Sequence, residues 1–303
     1  MSKRMARMSF QRTTFVIVFC CSCVCLFRSF SSFGAAVVLA QEGGVLYTPE
    51  ELHRHFQNEA EAYVIEKTGE SKPLVFKPQS LMHWQNTERS QEQGSMYVWL
   101  DGDRPAVLAS IFTYEHSNRV FCKHEIISLA DYPLTARMAN TQVWTPKTPG
   151  LKWMPLTGAG EAADLPARRL SQMRAIAREF SGTVTKPKGE VTKLRLLTNP
   201  LIRYQPTDQT VVDGAVFSFA VVTDPELLLV IEAIQENGKL SWRYAVASSH
   251  YWQLELQRNG EVVWSVPLRM SLETARANQR PDADGAYFTF HAPQSIPPAE
   301  QLR

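Results

Sequence analysis

The chain has 303 residues, 44% of them hydrophobic and 10% aromatic, with 32 basic against 30 acidic side chains and a formal net charge of +2. Residues 1–40 hold five of those basic residues and no acid, which leaves 27 against 30 beyond them and excludes a general attraction to nucleic acid. Four of the five cysteines also fall in that opening segment, so Cys122 stands alone afterwards and a disulfide framework is excluded.

The opening MSKRMARMSFQR carries Lys3, Arg4, Arg7 and Arg12, and the apolar run Thr13 to Phe27 follows it. Small residues then lead to Ala40. A basic start, an apolar middle and small residues before a cut describe a secretory signal peptide, with cleavage expected before Gln41. The alternative is an uncleaved anchor, but the apolar run falls short of the roughly 20 residues that a spanning helix needs, and Arg28 interrupts it. The 263 residues that follow suffice for one large domain or two small ones standing on their own core.

Thr48-Pro49-Glu50-Glu51 predicts a helix start, with Thr at the cap, Pro in the first turn and a capping-box Glu. Short runs rich in β-branched and aromatic residues come next: AYVIEK, PLVFKPQSLMHW, SMYVWL, AVLASIFTYE and RVFCKHEIISL. DGDRP, between Leu100 and Ala106, predicts a hairpin turn, and hence an antiparallel sheet. Residues 131–163 are rich in Pro, Thr and Gly and read as an irregular connection draped over a sheet and pinned by Trp144 and Trp153. Asp164 is expected to cap a second helix, whose apolar stripe is Leu170, Met173, Ile176, Ala177 and Phe180 and which ends at Ser181-Gly182. SGTVTKPKGE reads as a polar break. From Val191 onward the chain predicts a strand meander, with Asn237-Gly238 and Asn259-Gly260 as hairpin turns. The expected fold is α+β and β-dominated. It has an N-terminal half over 41–163, a linking helix over 164–182 and a C-terminal meander over 183–303.

Several phrases together resemble a family of exported proteins of planctomycete-type bacteria to which no activity is assigned. They are VWLDGDRPAVLASIFTYE, HEIISLADYPLTAR, RRLSQMRAIAREF, and LRLLTNPLIRY followed by DGAVFSFAVVTDPELLLVIEA. The resemblance spans about Ala62 to Pro267. It implies export and one co-inherited architecture, and it carries over no catalytic residue.

Candidate sites come from the residues alone. On a strand, Cys122 and His124 share a face while Glu125 takes the other, and His116 lies across the Ser117-Asn118 turn. A Cys and His pair suits a nucleophile with its base or two ligands of a zinc ion, but no third partner is placed by spacing. His53 and His55, two apart on a helix, do not share a face and predict a solvated surface. Arg168, Arg169, Arg174 and Arg178 decorate the second helix as a patch for an anionic partner, with Glu179 as a local counter-charge. No aromatic residues interleave with these arginines, which argues against single-stranded nucleic acid. Gly158 to Ala163 matches a dinucleotide-binding turn in letters, but it lacks the strand before it and meets Pro166 at once. Asp282-Ala283-Asp284-Gly285 begins like a calcium loop but runs into a strand. The seven tryptophans fall mostly in strand runs, where a core position is the default.

Four carboxylates remain within DGAVFSFAVVTDPELLLVIEAI. Asp213, Asp224 and Glu226 read as turn residues beside Gly214 and Pro225. Glu232, inside an apolar run, predicts a buried ion pair with Arg243 or Arg203. No cofactor is expected. The reading is an exported component of the periplasm or cell envelope that binds or supports an envelope protein or anionic glycan without catalysis. The alternative is an envelope hydrolase built on Cys122 and His124 or on a carboxylate pair.

Overall fold

A computed structural model describes residues 47–89, 92–116, 119–139, 141–206, 210–271, 273–274 and 284–296. The expected signal segment lies outside these residues. The chain opens with α1 (Pro49–Glu61), β1 (Tyr63–Lys67), β2 (Val75–Asn86), β3 (Glu92–Asp101), β4 (Arg104–His116) and β5 (Arg119–Ser128). It continues with β6 (Leu134–Met138), β7 (Thr141–Trp144), β8 (Met154–Pro155), α2 (Pro166–Ala177), β9 (Phe180–Thr185) and β10 (Val191–Tyr204). It closes with β11 (Val211–Val221), β12 (Asp224–Glu236), β13 (Lys239–Ser248), β14 (Gln253–Arg258), β15 (Glu261–Val266) and β16 (Tyr287–Ser295). The fold is therefore β-dominated α+β, and every strand pair among the described residues is antiparallel.

The predicted capping box is present: Glu51 N donates to Thr48 Oγ1 at 3.2 Å, and Thr48 N donates to Glu51 Oε2 at 2.8 Å. Leu52, Phe56 and Ala60, one turn apart, bury the inner stripe of α1 against the five-stranded sheet β16-β5-β4-β3-β2. That sheet is covered on both sides. Tyr97 and Trp99 face α1, while Met96, Val98 and Leu100 face the second sheet, which is why SMYVWL is apolar without alternation.

The second sheet has eight strands in the order β15-β14-β9-β10-β11-β12-β13-β8. Val216, Leu228 and Val230 pack toward the first sheet, whereas Phe217, Leu229 and Ile231 pack toward α2, β9 and β14. β10 pairs with β9 at one end and β11 at the other, and its register slips between Leu197 and Ile202 around Pro200, which has no N–H to give the ladder. A third sheet, β1-β6-β7, joins the α1 core through Ile65, Leu134, Ala136 and Trp144.

The hairpin expectations hold. Asn237 and Gly238 have φ of 51° and 77°, Asn259 and Gly260 have 52° and 89°, and all four sit in the left-handed region that tight primed turns require. Three local expectations are overturned. Residues 131–163 contain β6, β7 and β8, because Leu134, Ala136 and Trp144 reach the core when extended. α2 has Leu165 at its cap with no side-chain bond, so Asp164 does not cap it. SGTVTKPKGE is β9 and its hairpin turn, with Phe180 and Val184 buried in the strand, so Ser181-Gly182 does not end the helix. Two edge strands pair with partners distant in the chain: β8 with β13, and β16 with β5. Among the described residues no helix is long and apolar enough to cross a membrane.

Candidate functional site

Glu232 lies on β12 with no exposed side-chain surface, and it does find a partner. Arg243, opposite it on β13, donates from Nε to Oε2 at 2.8 Å. Arg104 donates from Nη2 to Oε1 at 2.7 Å, and the Tyr204 hydroxyl donates to the same oxygen at 2.8 Å. Both guanidiniums also stack on Trp153, at 4.2 and 5.4 Å from its ring centre. The predicted buried pair is thus a cluster of four groups. Arg203, the other expected partner, serves Asp213 instead.

Asp213 is not a turn residue. It sits inside β11 at a register shift, fully buried, and accepts from Arg203 Nε, Arg169 Nε and Gln205 Nε2. Burial alone would raise its carboxyl, but hydrogen bonds from Arg203 and Arg169 outweigh it and hold the group below the usual carboxylate range. Arg169 therefore leaves the expected surface patch: it is 6% exposed and points inward. Arg168 and Arg178 remain exposed, and Arg174 reaches Asn199 Oδ1 at 3.0 Å. Glu179, the expected counter-charge of the patch, is committed to Arg258 on β14 at 2.7 Å.

Asp224 and Glu226 are also buried strand residues, because the β11–β12 turn falls at Val222-Thr223, before them. They meet the first sheet. Arg89, in the β2–β3 turn, lies 3.3 Å from Asp224 Oδ2 and 2.7 Å from Glu226 Oε1, and Asn86 Nδ2 donates to Asp224 at 3.0 Å. The Arg89–Glu226 ion pair is the shortest of these contacts. Lys123 and Glu125 come from β5, 3.3 Å apart, and the Tyr287 hydroxyl donates to Glu125 at 2.8 Å. Burial first, and Asp224 next, push Glu92 up to about 7. Burial likewise pushes Glu226 to about 7, and Asp224, beside Glu226, well above its ordinary value. This is the largest charged assembly among the described residues, and the sequence reading missed it.

Cys122 and His124 do share a face, and Glu125 does take the other, but that face is the α1 core. His124 Nδ1 bonds the Tyr63 hydroxyl at 2.7 Å, and its Nε2 faces Glu59 at 3.3 Å. Burial pushes the Cys122 thiol well above its ordinary value, the reverse of what a nucleophile needs. Replacing it tests this reading: Cys122→Ser should cost about 1–3 kcal/mol in denaturant unfolding, because a hydroxyl there has no apolar equivalence to the thiol. His116 closes β4, but its side chain lies outside the described part.

The N-terminal histidines are more engaged than a solvated face implies. His53 stacks on His83 with ring centres 3.5 Å apart, and His83 bonds Ser95 Oγ at 2.7 Å and Ser80 Oγ at 3.2 Å. They line a cavity of about 310 Å³ with Phe56, Trp84 and Gln93. Among the described residues no group of three His, Cys, Asp or Glu could hold a metal ion. Asp282 lies outside the described residues, and Asp284 sits 3.4 Å from Lys147. Gly158 to Ala163 runs as loop after the two-residue β8, without the buried strand a dinucleotide turn needs. Trp99 and Trp242 are core residues, as expected, whereas Trp264 on β15 is only half-buried.

No protein-family model, no curated protein and no solved structure matches the chain.

Proposed function

We propose that this chain is exported through its N-terminal segment and acts in the periplasm or cell envelope as a non-enzymatic component that binds an anionic glycan. The observation that carries the reading is the outer side of α2. Arg168, Arg174 and Arg178 make no ion pair with any described residue, because Glu179 is spent on Arg258 and Arg169 has turned inward to Asp213. An uncompensated basic stripe on a helix held by a large sheet is a surface for a polyanion. Against the hydrolase alternative stand the burial of Cys122 and the prior commitment of His124 to Tyr63. The inherited resemblance, with its implied export, agrees with a place outside the cytoplasm.

The test is co-sedimentation of the purified protein with isolated cell-wall glycan. The expected result is salt-sensitive retention that the triple variant R168E/R174E/R178E weakens by roughly tenfold or more. Retention that is absent, or unchanged in the triple variant, overturns the proposal. N-terminal sequencing of the protein from the envelope fraction should begin at Gln41, and an intact Met1 start there would support the anchor instead.

A further inference from the structure

The open concavities on the surface carry no independent site. The walls around Trp153 are taken by the chain's own Arg104 and Arg243, and both ring nitrogens of His83 are already bonded to Ser80 and Ser95. The junction between the two large sheets is different, because its charges do not balance.

Six charged groups meet there, and each is named by its element. Arg89 and Glu92 come from the β2–β3 hairpin, Lys123 and Glu125 from β5, and Asp224 and Glu226 from β12. His250 and Tyr251 follow β13, with Lys123 4.6 Å over the Tyr251 ring and Arg89 4.5 Å over the Trp252 ring. Tyr287 enters from β16, with Arg269 5.1 Å over its ring. Fully ionised, these four carboxylates would face Arg89 and Lys123, with Arg269 as a third cation beyond Tyr287, and at least one negative charge would stand in excess where Glu125, Asp224 and Glu226 are buried. Bare buried charge of that kind is too costly to persist, so protons must make up the difference.

Glu226 shows where one proton belongs. Its Oε2 lies 3.9 Å from His250 Nδ1, and that nitrogen already accepts the backbone N–H of Trp252 at 3.0 Å. The Nδ1 lone pair is thus taken and carries no proton, so His250 gives Glu226 nothing, and Glu226 Oε2 receives no hydrogen bond. Burial together with Arg89 and Lys123 holds His250 itself well below its ordinary value, so it cannot supply the missing positive charge near neutral pH.

We infer that this cluster is a proton-loaded lock between the two sheets, closed while Glu226 and its neighbours share protons and loosened when mildly alkaline conditions remove them. The inference does not depend on the glycan reading. The values near 7 for Glu92 and Glu226 place the transition around neutrality. The sign follows from linkage: a carboxyl raised above its unfolded value contributes stability below that unfolded value, and the contribution is lost as pH rises through the folded value. His53, His55, His83 and His250 are all lowered, so they weaken the fold only as pH falls below about 6.5. The window above that value therefore belongs to the carboxylates.

The experiment is the melting temperature of the purified protein between about pH 8.5 and about pH 6.5, with infrared detection of protonated carboxyl groups. The melting temperature should rise as pH falls through this window, and a protonated-carboxyl band should fade as pH rises through neutrality. Glu92→Gln, near the rim, should flatten the pH slope, and Glu226→Gln should also remove part of the band. Hydrogen exchange, corrected for its intrinsic pH dependence, should quicken in β5 and β12 at the alkaline end. A flat or inverted slope, a neutral-pH spectrum without the band, or an undiminished slope in Glu92→Gln overturns the lock. If Glu226→Gln fails to fold, the unsubstituted protein's spectrum and Glu92→Gln still decide.

Discussion

Arg89→Met should lose about 3–5 kcal/mol of stability at neutral pH, the largest effect expected of any single substitution at the sheet junction. The guanidinium is the cation nearest to both Asp224 and Glu226, and it stacks on Trp252 as well. Without it, Asp224 and Glu226 would stand as two carboxylates facing Asn86 and a histidine that offers no proton. The chain would have to take up one further proton, on the acid that Arg89 keeps ionised, to stay folded. Neutralising one carboxylate at pH 7 costs about 4 kcal/mol when its unfolded value is near 4, which sets the size of the loss. The loss should therefore shrink as pH falls. Urea unfolding of Arg89→Met should recover a large part of the difference at about pH 5.5. A loss that stays the same at both pH values would mean that Arg89 acts by packing on Trp252 and not by charge.

The second large effect is Glu232→Ala. It removes the acceptor shared by Arg104, Arg243 and Tyr204, and leaves two guanidiniums facing each other beside Trp153. Arg104 and Arg243 keep 27% and 21% of their side chains exposed, so they can turn partly toward water. That places the loss at about 2–4 kcal/mol, below the full cost of a stranded buried charge. Replacing the pair in a compensating way separates charge from shape. Glu232→Met combined with Arg104→Met should be more stable than Glu232→Ala alone, as thermal unfolding would show. Equal instability in both would place the contribution of Glu232 in packing.

Much of this architecture is legible in local residue patterns, and the exceptions have a common cause. The Thr48 cap and the Asn-Gly hairpins at 237 and 259 involve neighbours along the chain, so short spacing suffices to find them. Asp213 and Asp224 misled for the same reason. Asp before Gly or Pro is a turn signal by local propensity, yet both residues lie in strands whose apolar neighbours fill cores on either side. Residues 134–144 were masked in a similar way. Their Pro and Thr content suggests a loop, while burial of Leu134 and Trp144 draws them into a small sheet. At the candidate site, the alternation that puts Cys122 and His124 on one face was readable. Whether that face meets solvent or α1 was not, because periodicity is the same in either case.

What the sequence determined by itself is the set of local commitments: strands joined by short turns, and so antiparallel; two helices; and a carboxylate at Glu232 that could not be buried alone. The tertiary structure decided which groups answer those commitments. Arg104, not only Arg243, reaches Glu232; Arg169 leaves the surface for Asp213; and Arg89 meets Asp224 from 135 residues away. Those pairings arise only when the two sheets pack face to face and α2 packs on β11, because charge complementarity across such junctions leaves no spacing in the chain to be read.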